Sequence, residues 1–445
     1  MTKKQEDLTI GSPFKKIMLF SLPLMFSNLL QVLFNMSDLA VVGRFGSKEA
    51  LGSVGSTTTY VILFTGFLIG IGSGINALIA RYLGAKDERR VARIAHTGLW
   101  VSIIIGFLLL GIGSGIVRPM LILLNTKPEL LEDAVLYVYL IFLGLPALAI
   151  YNYGNGILSA DGDTKRPLIF LASAGVINIA LNLLFVIVLR LSVVGVALAS
   201  IISQYISAML ILITLFRTKR PYQLNIKNLK IHWAETKAIL SLGLPAGIQN
   251  AIFSMANLFI QSGVNSFDTI VVEGNAAAAN ADTLVYDVMA SFYMAAASFI
   301  AQNYGAGKHK NILKCYFIGL LYSSLIGLIL GLGFVLLGKN FLSLFTDDKE
   351  VVQAGMSRLF VMGCSYFISS FMDCTIAALR GLGKTIVPML LLILGSCVFR
   401  IIWVYTIFAH FKTISSLYLL YPVSRCLTAI SVLIFFAYIY NMIRK

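Results

Sequence analysis

Charge is scarce in this chain, and so are the residues from which soluble catalytic sites are usually built. Asp, Glu, Lys and Arg make up 12% of the 445 residues, with four histidines, five cysteines and three tryptophans. His96, His232, His309 and His410 are scattered without metal-ligand spacing, and the carboxylates do not cluster, so neither an enzyme nor a metal site is expected. Cys315, Cys364, Cys374, Cys397 and Cys426 all fall in the second half, mostly inside apolar runs and without Cys-x-x-Cys spacing, which points to reduced packing residues. Gly383-Lys384-Thr385 is the nearest approach to a phosphate loop, but Ala378 stands where the first glycine belongs, which argues against an ATP-driven pump.

What is abundant is apolar surface. The chain is 58% hydrophobic with a mean hydropathy of +0.86, against roughly 45–50% apolar residues in soluble domains. Twelve runs are long enough for a hydrocarbon core of about 30 Å. They span 17–42, 54–80, 92–116, 131–157, 167–189 and 193–216, then 238–264, 284–304, 312–337, 359–379, 387–408 and 417–440. Barrel strands would alternate polar and apolar residues, whereas these runs are continuously apolar, so the expected fold is an all-α polytopic membrane protein of twelve helices. The first run is too long for the apolar region of a signal peptide and shows no small-residue cleavage pattern, so a retained N-terminus is expected.

The formal charge of +15 would suggest nucleic acid in a soluble protein, but here the basic residues sit in the loops. One side of the twelve-run topology collects Lys3, Lys4, Lys15, Lys16, Arg81, Lys86, Arg89, Arg90, Arg93, Lys165 and Arg166, and the basic stretch Arg217–Lys237. It continues with Lys308, Lys310, Lys314, Arg380, Lys384, Arg444 and Lys445. The other side has Arg44, Lys48, Arg118, Lys127, Arg190, Lys339, Lys349 and Lys412, a bias of about threefold that puts both termini in the cytoplasm of a bacterial inner membrane. Topology accounts for the charge, and no nucleic-acid partner is expected.

The sequence also repeats itself. Pro23, Asn28 and Asn35 match Pro245, Asn250 and Asn257, each 222 positions later. Tyr82-Leu-Gly-Ala85 lies 221 before Asn303-Tyr-Gly-Ala306, and the loop from Leu158 to Pro167 lies 221 before that from Leu379 to Pro388, sharing Leu, Gly, Thr and Pro. Six helices per copy is an even number, so the copies enter the membrane from the same side and are related by a pseudo-twofold axis along its normal, with a cavity expected between two lobes. The expected domains are an N-lobe over 1–220, a polar cytoplasmic linker over 221–238 and a C-lobe over 239–445.

These motifs resemble the multidrug and toxic compound extrusion (MATE) family, and its DinF-like branch in particular. They comprise Ser-Leu-Pro23, then Ser-Asp38-Leu-Ala-Val-Val-Gly43-Arg-Phe-Gly46, Ala80-Arg-Tyr-Leu-Gly84-Ala85, and the paired Gly-x-Thr-x-x-Pro loops. The resemblance covers the chain from about Phe14 to Asn441. It implies a secondary-active exporter that exchanges an inward-moving proton or sodium ion for an outward-moving, usually cationic and amphipathic compound, without a cofactor. It further implies that Asp38, Asn178 and Asn182 form the cation site of the N-lobe. The last of these is an acid in some relatives, so this lobe has fewer titratable groups. Another branch places a Glu in the seventh helix, and this seventh helix has no acid.

Ionisable residues inside apolar runs are costly and default to functional candidates. Five are recognised: Asp38, Asp287, Asp373, Arg400 and Arg425. Asp38 falls near the external end of its run, where it is either the coupling carboxylate or a solvated interfacial acid. Asn178 and Asn182, four apart, share a helix face, as sodium ligands or as polar glue between helices. Arg400 and Arg425 reach similar depth and need a counter-charge. Either Asp373 supplies it as a structural ion pair, or an arginine faces the cavity and recognises an acidic group on the substrate. Asp287 reads as shallow and solvated. Pro23 and Pro245 each remove a backbone hydrogen bond and are candidate hinges. Met255, Phe292, Tyr293 and Met294 read as packing or lipid contact, with an adaptable drug pocket as the alternative.

The competing function is a flippase or exporter of an anionic or lipid-linked substrate that uses the central arginines. The Gly-x-Thr-x-x-Pro loops favour the efflux reading. The expected partners are a small-molecule substrate and the lipid bilayer, and the chain is expected to act as a monomer.

Overall fold

A computed structural model describes residues 7–45, 48–124 and 126–444. Lys3, Lys4, Gly46 and Lys445, used above, lie outside the described residues. Among the described residues every regular element is a helix: α1 (Pro13–Phe45), α2 (Lys48–Gly84), α3 (Glu88–Leu123), α4 (Pro128–Phe142), α5 (Leu145–Ala160), α6 (Lys165–Asn182) and α7 (Ser192–Arg217). There follow α8 (Trp233–Val264), α9 (Thr269–Gly305), α10 (His309–Leu342), α11 (Lys349–Gly363) and α12 (Tyr366–Gly381), then α13 (Ile386–Phe411) and α14 (Ile414–Arg444). Ten are long and apolar enough to cross a membrane. The pairs α4–α5 and α11–α12, bent by 43° and 47°, bring the number of spans up to twelve.

Each of the twelve runs read from the sequence falls on one of these spans, but α9 starts at Thr269 rather than at residue 284. Asp268 caps this helix by accepting from the Val271 amide at 3.0 Å, and the alanine run 276–279 propagates it with little loss of side-chain entropy. Low hydropathy hid a good helix former. The longer helix corrects the reading of Asp287, which stands at the middle of α9 rather than near its end.

The internal repeat is visible in the backbone. Gly162 and Gly383 adopt φ of +91° and +77°, and Lys86 and Gly307 adopt +57° and +69°. Each pair is 221 positions apart, so both copies turn through the left-handed region at the same two loops. Glycine at three of the four positions avoids the Cβ penalty of that conformation. Pi-helical turns follow α6 at Leu183–Val188 and interrupt α13 at Ile393–Val398 and Val404–Phe408.

Two compact units emerge, and their boundaries run inside helices. One holds Phe26–Ala251 and the other Leu8–Met25 with Ile252–Lys445. The start of α1 therefore belongs to the second unit, where Leu8, Ile17, Phe20 and Leu24 join a core with Phe299, Ile300, Tyr316 and Leu379. The Leu8 amide donates to Gln302 Oε1 at 3.1 Å and Tyr322 Oη to the Phe14 carbonyl at 3.2 Å. Correspondingly, the first part of α8 belongs to the first unit. There a Cβ on Gly70 would stand 2.3 Å from the Gly247 nitrogen, and one on Gly74 would stand 2.5 Å from that of Gly243. Two Gly-x-x-x-Gly faces thus bring α2 and α8 to backbone contact. Pro23 and Pro245 lie inside continuous helices, and unit membership changes after Met25 and after Ala251.

The segment 221–238 is not a free tether. Tyr222 is buried and donates to Asp161 Oδ2 at 2.9 Å, and Arg220 lies 3.5 Å from the same carboxylate. The Asn225 amide donates to His96 Nε2 at 3.1 Å, the His232 amide to Thr97 Oγ1 at 3.2 Å, and Glu235 pairs with Arg90 at 3.7 Å. Burial pushes the Asp161 carboxyl above its ordinary range, against the opposing effects of Tyr222 and Arg220.

Candidate functional site

In the first unit, Asp38, Asn178 and Asn182 come together around one carboxylate. Asp38 sits seven residues before the end of α1, and the two asparagines lie on one face at the end of α6. Asn182 Nδ2 donates to Asp38 Oδ1 at 2.6 Å and to Asn178 Oδ1 at 3.2 Å. A fourth member closes the ring: Ser200 Oγ on α7 donates to Asp38 Oδ2 at 2.9 Å and accepts from Asn178 Nδ2 at 3.2 Å. The close approach of α1 to α6 depends on Gly175, where a Cβ would stand 1.7 Å from the Phe34 ring.

Sequence reasoning missed Ser200. The available signal was a polar stripe, Ser200-x-x-Ser203-x-x-x-Ser207, on an otherwise apolar helix.

Asp38 is 9% exposed and Asn182 fully buried. Among the described residues no Lys, Arg or His makes an ion pair with Asp38, and Asn182 Oδ1 is buried without a hydrogen-bond partner. A buried carboxylate held only by neutral donors is stabilised by a proton or by a hard cation, and the surrounding hydroxyl and amide oxygens suit either.

The second unit presents the opposite charge. Arg400, 1% exposed on α13, donates from Nε to Ser424 Oγ at 3.0 Å and from Nη1 to Asn257 Oδ1 at 3.3 Å. Its guanidinium lies 5.0 Å from the Phe253 ring centroid and 5.1 Å from that of Tyr421, and among the described residues its Nη2 has no hydrogen-bond partner. Arg425, 3% exposed on α14, lies 5.2 Å from the Tyr286 ring and 5.4 Å from the other side chain's shared neighbour, the Tyr421 ring. Among the described residues its one hydrogen-bond contact is the Met362 sulfur, 4.0 Å from Nη1.

The expected ion pair between Asp373 and Arg400 is not formed. Among the described residues Asp373 comes within 4.0 Å of no basic group. Position along a helix specifies depth and leaves the angle around the helix axis open.

A buried ion pair that sequence reasoning missed lies beside this site. Arg358 on α11 donates from Nε to Asp282 Oδ2 at 3.2 Å and from Nη1 to Asn275 Oδ1 at 2.6 Å. Tyr366 donates to the other Asp282 oxygen, and Tyr418 to Asn275 at 3.2 Å. Asp282 and Arg358 fell outside the apolar runs because α9 and α11 begin earlier than hydropathy indicates. Of the aromatic and methionine residues singled out, Phe292 is buried, Tyr293 and Met294 pack against the core that holds Phe299 and Tyr316, and Met255 is exposed.

Comparison with known proteins yields consistent matches. The MatE family profile matches twice, over residues 23–184 and 245–406, each match displaced from the other by 222 positions. A probable multidrug resistance protein of Bacillus subtilis, YpnP, is 31% identical over 313 residues, covering 69% of each chain. An FAD transporter of Shewanella oneidensis is 24% identical over 368 residues, covering 80% of each. Among solved structures, a MOP superfamily transporter from Pyrococcus furiosus superposes with a TM-score of 0.93 at 23% identity, covering all of both chains; its description notes a binding pocket of reverse polarity.

Proposed function

We propose, from the premise that this chain belongs to the MatE family of membrane transporters, that it is a secondary-active exporter of amphipathic small molecules driven by inward movement of protons or sodium ions. The observation that supports this reading best is the Asp38 ring: a carboxylate 9% exposed, with three neutral neighbours and no cationic partner among the described residues. Binding of H+ or Na+ there neutralises the carboxylate, and its release restores a charge that the apolar surroundings disfavour. A site of that kind biases a two-state protein toward whichever state accepts the ion. Pro23 and Pro245, near the positions where α1 and α8 pass from one unit to the other, are the proposed flexing points. The loop charge bias supports cytoplasmic termini in a bacterial inner membrane, and a single chain is the proposed working unit.

The test is efflux of ethidium from proteoliposomes under a pH gradient or a sodium gradient imposed separately, with wild type and Asp38→Asn compared. Export driven by one gradient and reduced to the leak of empty liposomes in Asp38→Asn is the expected result. Equal export by both proteins under the same gradient overturns the assignment of Asp38.

A further inference from the structure

We propose that Arg400 and Arg425 form a recognition site within the second unit for an acidic group, a carboxylate or a phosphate, carried by the transported molecule. This rests on the transport reading above and names the cargo chemistry it leaves open.

The two repeats place this site opposite in sign to the Asp38 ring. Adding the repeat offset of 222 carries Asn178 onto Arg400, Asn35 onto Asn257 and Asp38 onto Ile260, and an offset of 221 carries Ser200 onto Tyr421. Of the residues that surround the carboxylate in the first unit, Asn178 is thus replaced by a guanidinium, Ser200 by an aromatic ring and Asn182, at the offset of 222, by Val404. The acid itself has become an isoleucine. One copy of the repeat is built around a buried negative charge and the other around buried positive charge.

The local charge balance points the same way. Tyr421 is the common neighbour of three guanidiniums, with Arg358 at 5.3 Å from its centroid, Arg400 at 5.1 Å and Arg425 at 5.4 Å. Among the described residues only Arg358 of the three has a carboxylate in contact, from Asp282. Arg400 is held by a serine, an asparagine and two ring faces and retains a buried Nη2 without a partner, while Arg425 has a sulfur and two ring faces. Cation–π contacts and neutral acceptors compensate such burial only in part. Planar guanidinium donors match carboxylate and phosphate oxygens.

The site also lies one side chain beneath the surface. Asn257 is exposed, and Phe253 and Tyr286 are partly exposed. Displacing the Asn257 amide, whose contact with Arg400 is 3.3 Å long, uncovers two donor nitrogens.

Two measurements on the full-length protein test this. In the first, thermal unfolding of the purified protein is followed with increasing carboxyfluorescein or ethidium. A midpoint that rises with carboxyfluorescein in wild type, with the response weakened at least about tenfold in Arg400→Gln and Arg425→Gln and partly restored in Arg425→Lys, is expected. The absence of any carboxyfluorescein response in wild type, where no variant is involved, overturns the proposal. In the second, proteoliposomes under the gradients used above are assayed for export of carboxyfluorescein and, separately, for flipping of a fluorescent phosphatidic acid. Movement of the first assigns the acidic group to a free small molecule, and movement of the second alone assigns it to a lipid headgroup. Ethidium export without movement of either anion overturns the arginine site and leaves ion-coupled export standing. Anion binding without movement of any probe leaves the site standing and removes the export reading.

Discussion

Asn182 spends both amide hydrogens on acceptors within the ring, one on Asp38 at 2.6 Å and one on Asn178 at 3.2 Å, and its own carbonyl oxygen is left buried without a partner. An aspartate here would put a second carboxylate against the first. With asparagine, the ring holds one charge and several neutral oxygens, an arrangement that gains most from a bound cation. Asn182→Ala therefore removes a donor to Asp38 and an oxygen from the ring. Its expected effect is a higher half-saturating concentration of the coupling ion, with a loss of stability of about 1–3 kcal/mol for the donor removed from a buried carboxylate. Export rate titrated against ion concentration measures it, and an unchanged half-saturation point contradicts the ring as an ion site.

The Asp282–Arg358 pair is a structural prediction. Arg358→Met leaves the Asp282 carboxylate buried beside Tyr366, and by analogy with other broken buried pairs the cost is about 3–5 kcal/mol. The double variant Asp282→Leu with Arg358→Met is expected to unfold at a higher temperature than either single variant, because no lone charge remains. A double-mutant cycle by thermal unfolding in detergent checks this, and strictly additive effects would refute the coupling.

Close helix approach makes Gly70 intolerant of volume. A Cβ there meets the backbone of Gly247 at 2.3 Å rather than the tip of a flexible side chain, so α2 and α8 must separate to admit one. Gly70→Val is expected to destabilise the first unit by at least about 1–3 kcal/mol, whereas Gly55→Ala, with nothing within 4 Å of the added carbon, is expected to be near neutral. Paired melting curves make the comparison.

The contact between Asp161, at the end of α5, and Tyr222 of the linker makes stability depend on pH. Burial holds the Asp161 carboxyl above its ordinary range, so the folded protein binds a proton more tightly there than the unfolded chain does. Asp161 thus contributes stability below the unfolded value of about 3.9, and that contribution is lost as pH rises through the folded value. Asp161→Asn keeps an acceptor for Tyr222 and does not titrate. The unfolding temperature of wild type relative to this variant is expected to fall as pH is raised from 4 toward 7, and a rise over that range would reverse the sign of the argument.

How far these features were legible in the sequence depended on whether they were local. Twelve continuous apolar runs specify helices because a backbone in hydrocarbon must satisfy its own hydrogen bonds, and all twelve runs lie on helical spans. The motifs Gly162-x-Thr164 and Gly383-x-Thr385 marked left-handed turns that both copies adopt. Asp38, Asn178 and Asn182, named from the family resemblance, meet in one ring. Where an inference needed two helices to present particular faces to each other, it failed: Asp373, named as a counter-charge for Arg400, forms no ion pair with it among the described residues. Asp282 and Arg358 were invisible to a hydropathy criterion that began both helices too late.

Composition, periodicity and the offset of 222 positions were sufficient for the membrane class, the helices and the duplication, because each depends on the chain's own local chemistry and on its comparison with itself. Tertiary structure decided the rest. Packing directs the start of α1 into one unit and the start of α8 into the other, adds Ser200 to Asp38, and gives a carboxylate to Arg358 but not to Arg400 or Arg425. Those outcomes depend on the rotation of each helix about its own axis, which is set by the glycines and aromatic rings of neighbouring helices rather than by the helix's own residues.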